Sequence, residues 1–577
     1  MDKIICNPLN LEYQFRNLSG NGQAFRSCAD PSLVLFRGRY FLFPSTKGFY
    51  YSDDLYSWTF VSGENLPVQF GAPDIREVDG WLYQCASDSK NPCPIYRTRD
   101  PLSGEFEEVS RPFIFWDPNM FEDDDGRVYL YWGCSNKLPI YGVEMDKETM
   151  MPVGDRVALI FGHPEKYGWE RNAPDNNLEK GFLFPGEISA EPLEDPSPWI
   201  EGPWMTKHGG KYYLQYAGPA TELNVYSNGV YVGDSPLGPF TYEINNPMST
   251  KPGGFIPSAG HGSTLQDKYG NWWHIASMLI GVNNAFERRV GIFPAGFDDD
   301  GVMFCNNHFG DYPMLLPDHK MNPLKDSFPG WMLLSYQKNV TASSALPGFP
   351  AENIADENIR TYWAAAARRR GEYVVMDLEK VVSVNAVQLN FMEHNLAELL
   401  TVPGNRLGDL EREKVEHPKL RWLLEGSQDG ENWEILCDKR MAETSLTHDF
   451  ICFDAAKKLR YIKLTGFEMP FGSNLALSGL RVFGNAGGKA PGPVQNVKTE
   501  RFEPMSVNIA WDAVPGADGY NVCWGTSPEK LYNSWMVYGQ NELTLRMLTE
   551  GVDYFVSVDA FNGSGITRGS CIAVKSC

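Results

Sequence analysis

The chain has 577 residues and a formal charge of −22, from 51 basic and 73 acidic side chains. That balance excludes nucleic acid and anionic membrane as partners, since both need a basic face, and no apolar stretch approaches the ~18 residues of a membrane span. At roughly 150 residues per domain the length predicts several domains, and a composition 42% hydrophobic and 13% aromatic is ample for their cores. The 11 cysteines are scattered without a CxxC pair, so they are expected to be mostly buried thiols rather than a zinc ribbon. Met1-Asp2-Lys3-Ile4-Ile5-Cys6 lacks the apolar stretch of a leader, which leaves open a cytoplasmic protein or one whose leader has been removed.

In chain order, a hairpin-centred unit recurs through the first ~320 residues. Its copies open at Asp30-Pro31, Ala72-Pro73-Asp74, Trp116-Asp117-Pro118, Glu201-Gly202-Pro203-Trp204 and Gly260-His261-Gly262-Ser263. Each continues into an aromatic strand pair joined by a Gly- or Asn-bearing turn, as at Asp79-Gly80 and Gly209-Gly210. Without helical periodicity between the copies, the repeat predicts a five-bladed β-propeller over 1–325. The region 333–485 alternates apolar strands with polar turns and predicts a β-sandwich, interrupted by a charged stretch over 395–418. After a linker rich in Gly, Ala and Pro, residues 491–577 alternate cleanly (Val507/Ile509/Trp511, Tyr520/Val522/Trp524, Tyr554/Val556/Val558) and predict a small immunoglobulin-like sandwich. The fold class is therefore all-β.

The chemistry lies in Asp30, Asp117 and Glu201. In a propeller, equivalent positions at the start of each inner strand converge on one end of the central axis. Sugar hydrolysis needs such a set, one carboxyl to protonate a leaving oxygen and another to activate water. Asp-Pro is also a common structural turn, and it is the recurrence of similar contexts that outweighs that reading. Asp123, Asp124 and Asp125 read as turn residues before Gly126. Glu187, Glu191 and Glu194 compete for the acid role but lack the Gly-Pro-Trp context of Glu201.

The ordered set of five openings resembles glycoside hydrolase family 43. The resemblance implies a five-bladed propeller in which Asp30 is the general base, Glu201 the general acid, and Asp117 holds Glu201 and raises its pKa. It also implies inversion at the anomeric carbon, with room for water between acid and base. His261 would lie under the site, and a structural Ca²⁺ beside it is a candidate, although no cofactor is required. Trp116 and Trp204, next to the acids, are expected to contact the sugar, as is Arg289 of the Arg288-Arg289 pair. The middle region resembles discoidin-type (coagulation factor 5/8 C) sandwiches through Thr361-Tyr362-Trp363, Asp377-Leu378 and Ser427-Gln428-Asp429-Gly430. The last region resembles fibronectin type III modules through Trp511, Tyr520 and Tyr554, and is expected to act as a spacer. The substrate is then a carbohydrate: α-L-arabinofuranose first, β-D-xylose or β-D-galactofuranose next, removed from a plant-type glycan. A non-catalytic carbohydrate-binding protein and a retaining fructan-type propeller hydrolase are the alternatives.

Overall fold

The computed structural model describes residues 3–16, 25–63, 66, 71–181, 183–184, 187–188, 192–396 and 418–576. Most of the charged stretch expected over 395–418 lies outside these residues, as do the side chains of Glu187 and Glu191. The elements of the described residues are strands and five short 3₁₀ turns.

Five antiparallel sheets follow one another along the first half of the chain, each with four strands in sequence order and the fourth sheet carrying an added strand, Cys134–Ser135. Their first strands, Ser32–Phe36, Asp74–Val78, Asn119–Glu122, Ile200–His208 and Gly260–Gln266, touch one another in a closed ring. This is a five-bladed propeller, and a pairing between Lys3–Cys6 and Pro313–Leu316 ties its start to its end.

A ring of polar contacts fastens the blades. Leu33 N donates to Ser263 Oγ (3.0 Å), Ile75 N to Ser32 Oγ (3.0 Å), Met120 N to Asp74 Oδ2 (2.7 Å), Met205 N to Asn119 Oδ1 (2.8 Å), and Trp204 Nε1 to the Thr264 carbonyl (3.0 Å). Each bond crosses from one blade to the next and satisfies a buried polar group that would otherwise be costly to bury. Trp204 is thereby assigned to the wall between blades. It is buried, with the Arg76 guanidinium over its ring at 4.2 Å. The expectation that Trp204 meets sugar is corrected: its indole has no free face.

The middle region folds around antiparallel strands centred on Tyr373–Phe391, His448–Glu468 and Ala476–Asn485, with Trp363 and Trp422 in its core. The last region pairs a three-stranded sheet with a second sheet around Gly519–Gly525 and Tyr554–Asn562. That last unit is no spacer. Its apolar residues share one cluster with Trp169, Tyr216 and Tyr231 of the propeller, and Gly168 N donates to the Leu548 carbonyl (2.9 Å). At the junction of all three units, buried Arg481 meets Glu357 (2.9 Å) and lies near Asp311 (3.7 Å), while Lys251 pairs with Asp311 (2.6 Å).

Candidate active site

A backbone kink recurs at all five blade openings. Asp30, Ala72, Asp117, Gly202 and His261 have φ of 51°, 47°, 49°, 55° and 45°. Left-handed backbone in a non-glycine residue costs roughly 1–3 kcal/mol and persists where the surroundings enforce it. Four of these residues precede a proline, and the fourth and fifth openings add a register shift, between Glu201 and Trp204 and between Gly260 and Ser263. The kinks bring side chains from four blades to one point. His261 Nδ1 lies 3.5 Å from Asp30 Oδ1, 3.8 Å from Asp117 Oδ2 and 3.9 Å from Glu201 Oε1.

Each carboxylate has its own support. Asp30 Oδ1 accepts from Arg288 (2.7 Å) and Oδ2 from Ser45 Oγ (2.6 Å), and its amide donates to Ser277 Oγ (2.9 Å). Arg288 also donates to Thr221 Oγ1 at 2.7 Å. Asp117 is held by Ser87, whose Oγ accepts from the Asp117 amide (2.8 Å) and donates to Oδ1 (3.3 Å). Glu201 Oε1 accepts from the Tyr226 hydroxyl, and Oε2 accepts from the Cys134 thiol (3.1 Å). The small residues make this packing possible: a Cβ on Gly202 would come within 2.6–2.8 Å of three His261 ring atoms, and one on Gly260 within 2.6 Å of the Tyr226 ring.

These neighbours divide the protonation states. Burial, together with the charges of Glu201 and Asp30, pushes the Asp117 carboxyl up to about 7 against the opposing pull of His261. Burial also acts to raise Glu201, but the His261 imidazolium and the Tyr226 and Cys134 donors outweigh it and hold that carboxyl below the usual glutamate range. His261 is pushed up to about 9, because the three carboxylates overcome the desolvation that disfavours its charge. Both Glu201 oxygens receive donors, and of the two neighbouring carboxyls it is Asp117 that is raised.

Arg289 is also corrected. It is fully buried on the other side of its strand, donating to His448 Nε2 (2.8 Å) and to the Arg26 carbonyl (2.7 Å), in the contact with the middle region. Arg288 is the one that reaches the carboxylates. Trp116 is 44% exposed directly before Asp117, and Trp199 is 43% exposed two residues before Glu201, so both leave an indole at the rim. Sequence reasoning passed over Cys134, Thr221 and Tyr226. Of these, Cys134 carried a signal, since it follows the aromatic strand Val128–Trp132 at the end where the Asp117 turn lies.

Asp117, Cys134 and Glu201 offer ligand atoms within 4.8 Å of one another. Burial and the nearby carboxylates push the Cys134 thiol far up, so it keeps its proton and donates to Glu201. A Ca²⁺ ion beside His261 does not fit the residues present. The imidazolium and Arg288 already supply the positive charge there, and calcium takes oxygen ligands rather than an imidazole.

Carboxylates gathered at the mouth of a propeller, one of them with a pKa raised to about 7, are the equipment of a glycoside hydrolase. Sequence comparison agrees: residues 26–303 match the model described as glycosyl hydrolases family 43, and the chain is a glycoside hydrolase. It is 28% identical over 261 residues to a beta-xylosidase of Xylanibacter ruminicola, covering 37% of this chain and 78% of the relative. It is 28% identical over 273 residues to xylosidase/arabinosidase 43A of Humicola insolens, covering 41% and 76%. It is 24% identical over 250 residues to a beta-D-galactofuranosidase of Aspergillus niger, covering 37% and 63%. Among solved structures, one titled "Glycoside hydrolase" aligns with a TM-score of 0.44 and 15% identity over 79% of this chain and 97% of its own.

Proposed function

We propose that the protein is an inverting glycosidase that removes terminal sugars from a plant-type polysaccharide or oligosaccharide. α-L-arabinofuranose is the first candidate, with β-D-xylose and β-D-galactofuranose next. The observation that carries the reading is the meeting of Asp30, Asp117 and Glu201 around one imidazole nitrogen. In this reading Asp30 takes a proton from water. Both of its oxygens accept hydrogen bonds, from Arg288 and from Ser45, which hold the carboxylate in place and ionised. Glu201 protonates the leaving oxygen. Asp117 and Glu201 interact closely enough to titrate together, so the proton belongs to the pair. His261 and Arg288 offset the three negative charges, and the exposed Trp116 offers a stacking face to the sugar.

The sugar assignment draws on relatives named beta-xylosidase, xylosidase/arabinosidase and beta-D-galactofuranosidase. The middle and last regions are proposed to be a discoidin-like sandwich over 333–485 and a fibronectin type III-like sandwich over 491–577. The test is a panel of aryl arabinofuranosides, xylosides and galactofuranosides, with NMR of the first product. Cleavage of one member with inverted configuration is the expected result. Retention would remove Asp30 from the base role and make it a nucleophile.

A further inference from the structure

The chain is strongly acidic, yet one groove on the middle region is lined by cations. A cavity of about 630 Å³ is bordered by Arg368, Arg369, Arg370, Lys419 and Arg421. An adjoining one of about 600 Å³ shares Arg370 and Arg421 and adds Arg440. Against these six cations, the described residues of the two linings hold the carboxylates of Asp438 and Glu468. Glu372 and Glu443 take up part of the charge from outside the linings, through Arg369 (2.6 Å) and Arg421 (2.7 Å).

The cations are braced rather than loose. The Arg370 and Arg440 guanidinium groups lie over the Phe467 ring at 4.6 and 5.8 Å. Arg421 is fixed by the Ala442 carbonyl (2.9 Å) and Glu468 (2.9 Å), and Arg368 Nε donates to Asn474 Oδ1 (3.1 Å). Asp438 already takes the Arg440 fork, through Nε (2.9 Å) and a second nitrogen (2.5 Å), whereas Arg370, stacked on the ring, turns its fork to the groove and loses less freedom on binding a carboxylate. Two adjoining cavities with planar, pre-oriented forks match an extended anionic chain with carboxylates spaced along it.

We propose that this groove binds the uronate carboxylates of an acidic polysaccharide, holding the polymer apart from the catalytic carboxylates. The proposal rests on the glycan-hydrolase reading for its choice of ligand. A polyphosphate chain is disfavoured by the −22 charge of the whole molecule, which opposes a densely charged polyanion at a distance. A uronan carries one charge per sugar and leaves neutral ring faces for contact with Phe471, which lines the first cavity.

The test is affinity electrophoresis of the full chain through gels containing polygalacturonate, neutral arabinan or double-stranded DNA, backed by calorimetry with oligogalacturonate. Retardation by polygalacturonate alone, weakening as salt is raised, is expected. Arg370→Ala and, separately, Arg440→Glu should each weaken binding about tenfold or more, as for loss of a charge-assisted hydrogen bond. Aryl-glycoside turnover of both variants should stay at the wild-type level, which also certifies that they fold. No retardation by polygalacturonate, equal retardation of the variants, or equal retardation by arabinan or DNA would overturn the proposal. Failure of every aryl glycoside to react would instead strike the catalytic reading and leave the binding result standing.

Discussion

Replacing Glu201 with Gln keeps a side chain of the same shape between Tyr226 and Cys134 but removes the transferable proton. Turnover of natural glycans should fall about 10²–10⁴-fold, while dinitrophenyl glycosides, whose leaving group needs no proton, should be largely spared. Equal losses on both substrates would move the acid role to Asp117. The raised Asp117 gives the pH dependence its sign: the pair holds its proton below about 7, so kcat/KM should fall as pH rises through that value. His261 contributes in the same sense. Its pKa is raised from 6.5 to about 9, so its stabilisation is complete below 6.5 and lost as pH rises through about 9. The gap in melting temperature between wild type and His261→Gln should accordingly close over that interval, and a constant gap would show that the imidazole acts by packing alone. Cys134 tunes the same proton. Removing its donor in Cys134→Ala destabilises ionised Glu201 and should carry the alkaline limb of the kcat/KM profile to higher pH, whereas Cys134→Ser, which keeps a donor, should not.

The blade openings explain both what could be read from the sequence and what could not. Asp30, Asp117, Glu201 and His261 were legible because each sits beside a kinked backbone residue or on one, and kinks leave Pro and Gly in the sequence. The choice between Arg288 and Arg289 was not legible. On a strand, a one-residue change of phase exchanges the two faces, and here the phase is set by pairing with Met278 and Leu279, not by any local signal. Trp204 failed for a related reason. After the register shift at Glu201, its side chain points between blades, and adjacency in sequence to Glu201 no longer means adjacency in space. The kink itself can be tested. Gly202→Ala places a methyl group within 2.6 Å of the His261 ring at a φ of +55°. Displacing His261 by a fraction of an ångström to an ångström should lower kcat by about 10²-fold, with binding of the polymer in the basic groove unchanged.

At the scale of the molecule, the three regions form one packed body. The polar junction of Arg481, Glu357, Asp311 and Lys251 draws on the propeller and the middle region, and Tyr538 of the last region adds a contact to Glu357 at 3.5 Å. Arg481→Met would strand buried Glu357 and should cost about 3–5 kcal/mol, read as a lower melting temperature for the whole chain. Ending the chain at residue 330 would bare the apolar faces around Phe309 and Tyr312 and leave Arg26 and Arg289 without Glu393 and His448. The truncated propeller should then be insoluble or markedly less stable; a soluble fragment with the melting temperature of the full chain would contradict this. The sequence announced three regions but not their union, because the contacts joining them are single residues scattered over hundreds of positions. The union also orders events on the ribosome. The segment around Tyr167–Glu170 packs beneath blade four, where Glu201 sits, and is bonded to Leu548 and Glu550. At about 5–20 residues per second, those partners emerge roughly 10–50 s after the strand that closes the propeller. A nascent chain therefore waits through that interval with its catalytic blade unbraced, until the region over 491–577 emerges to pack against it.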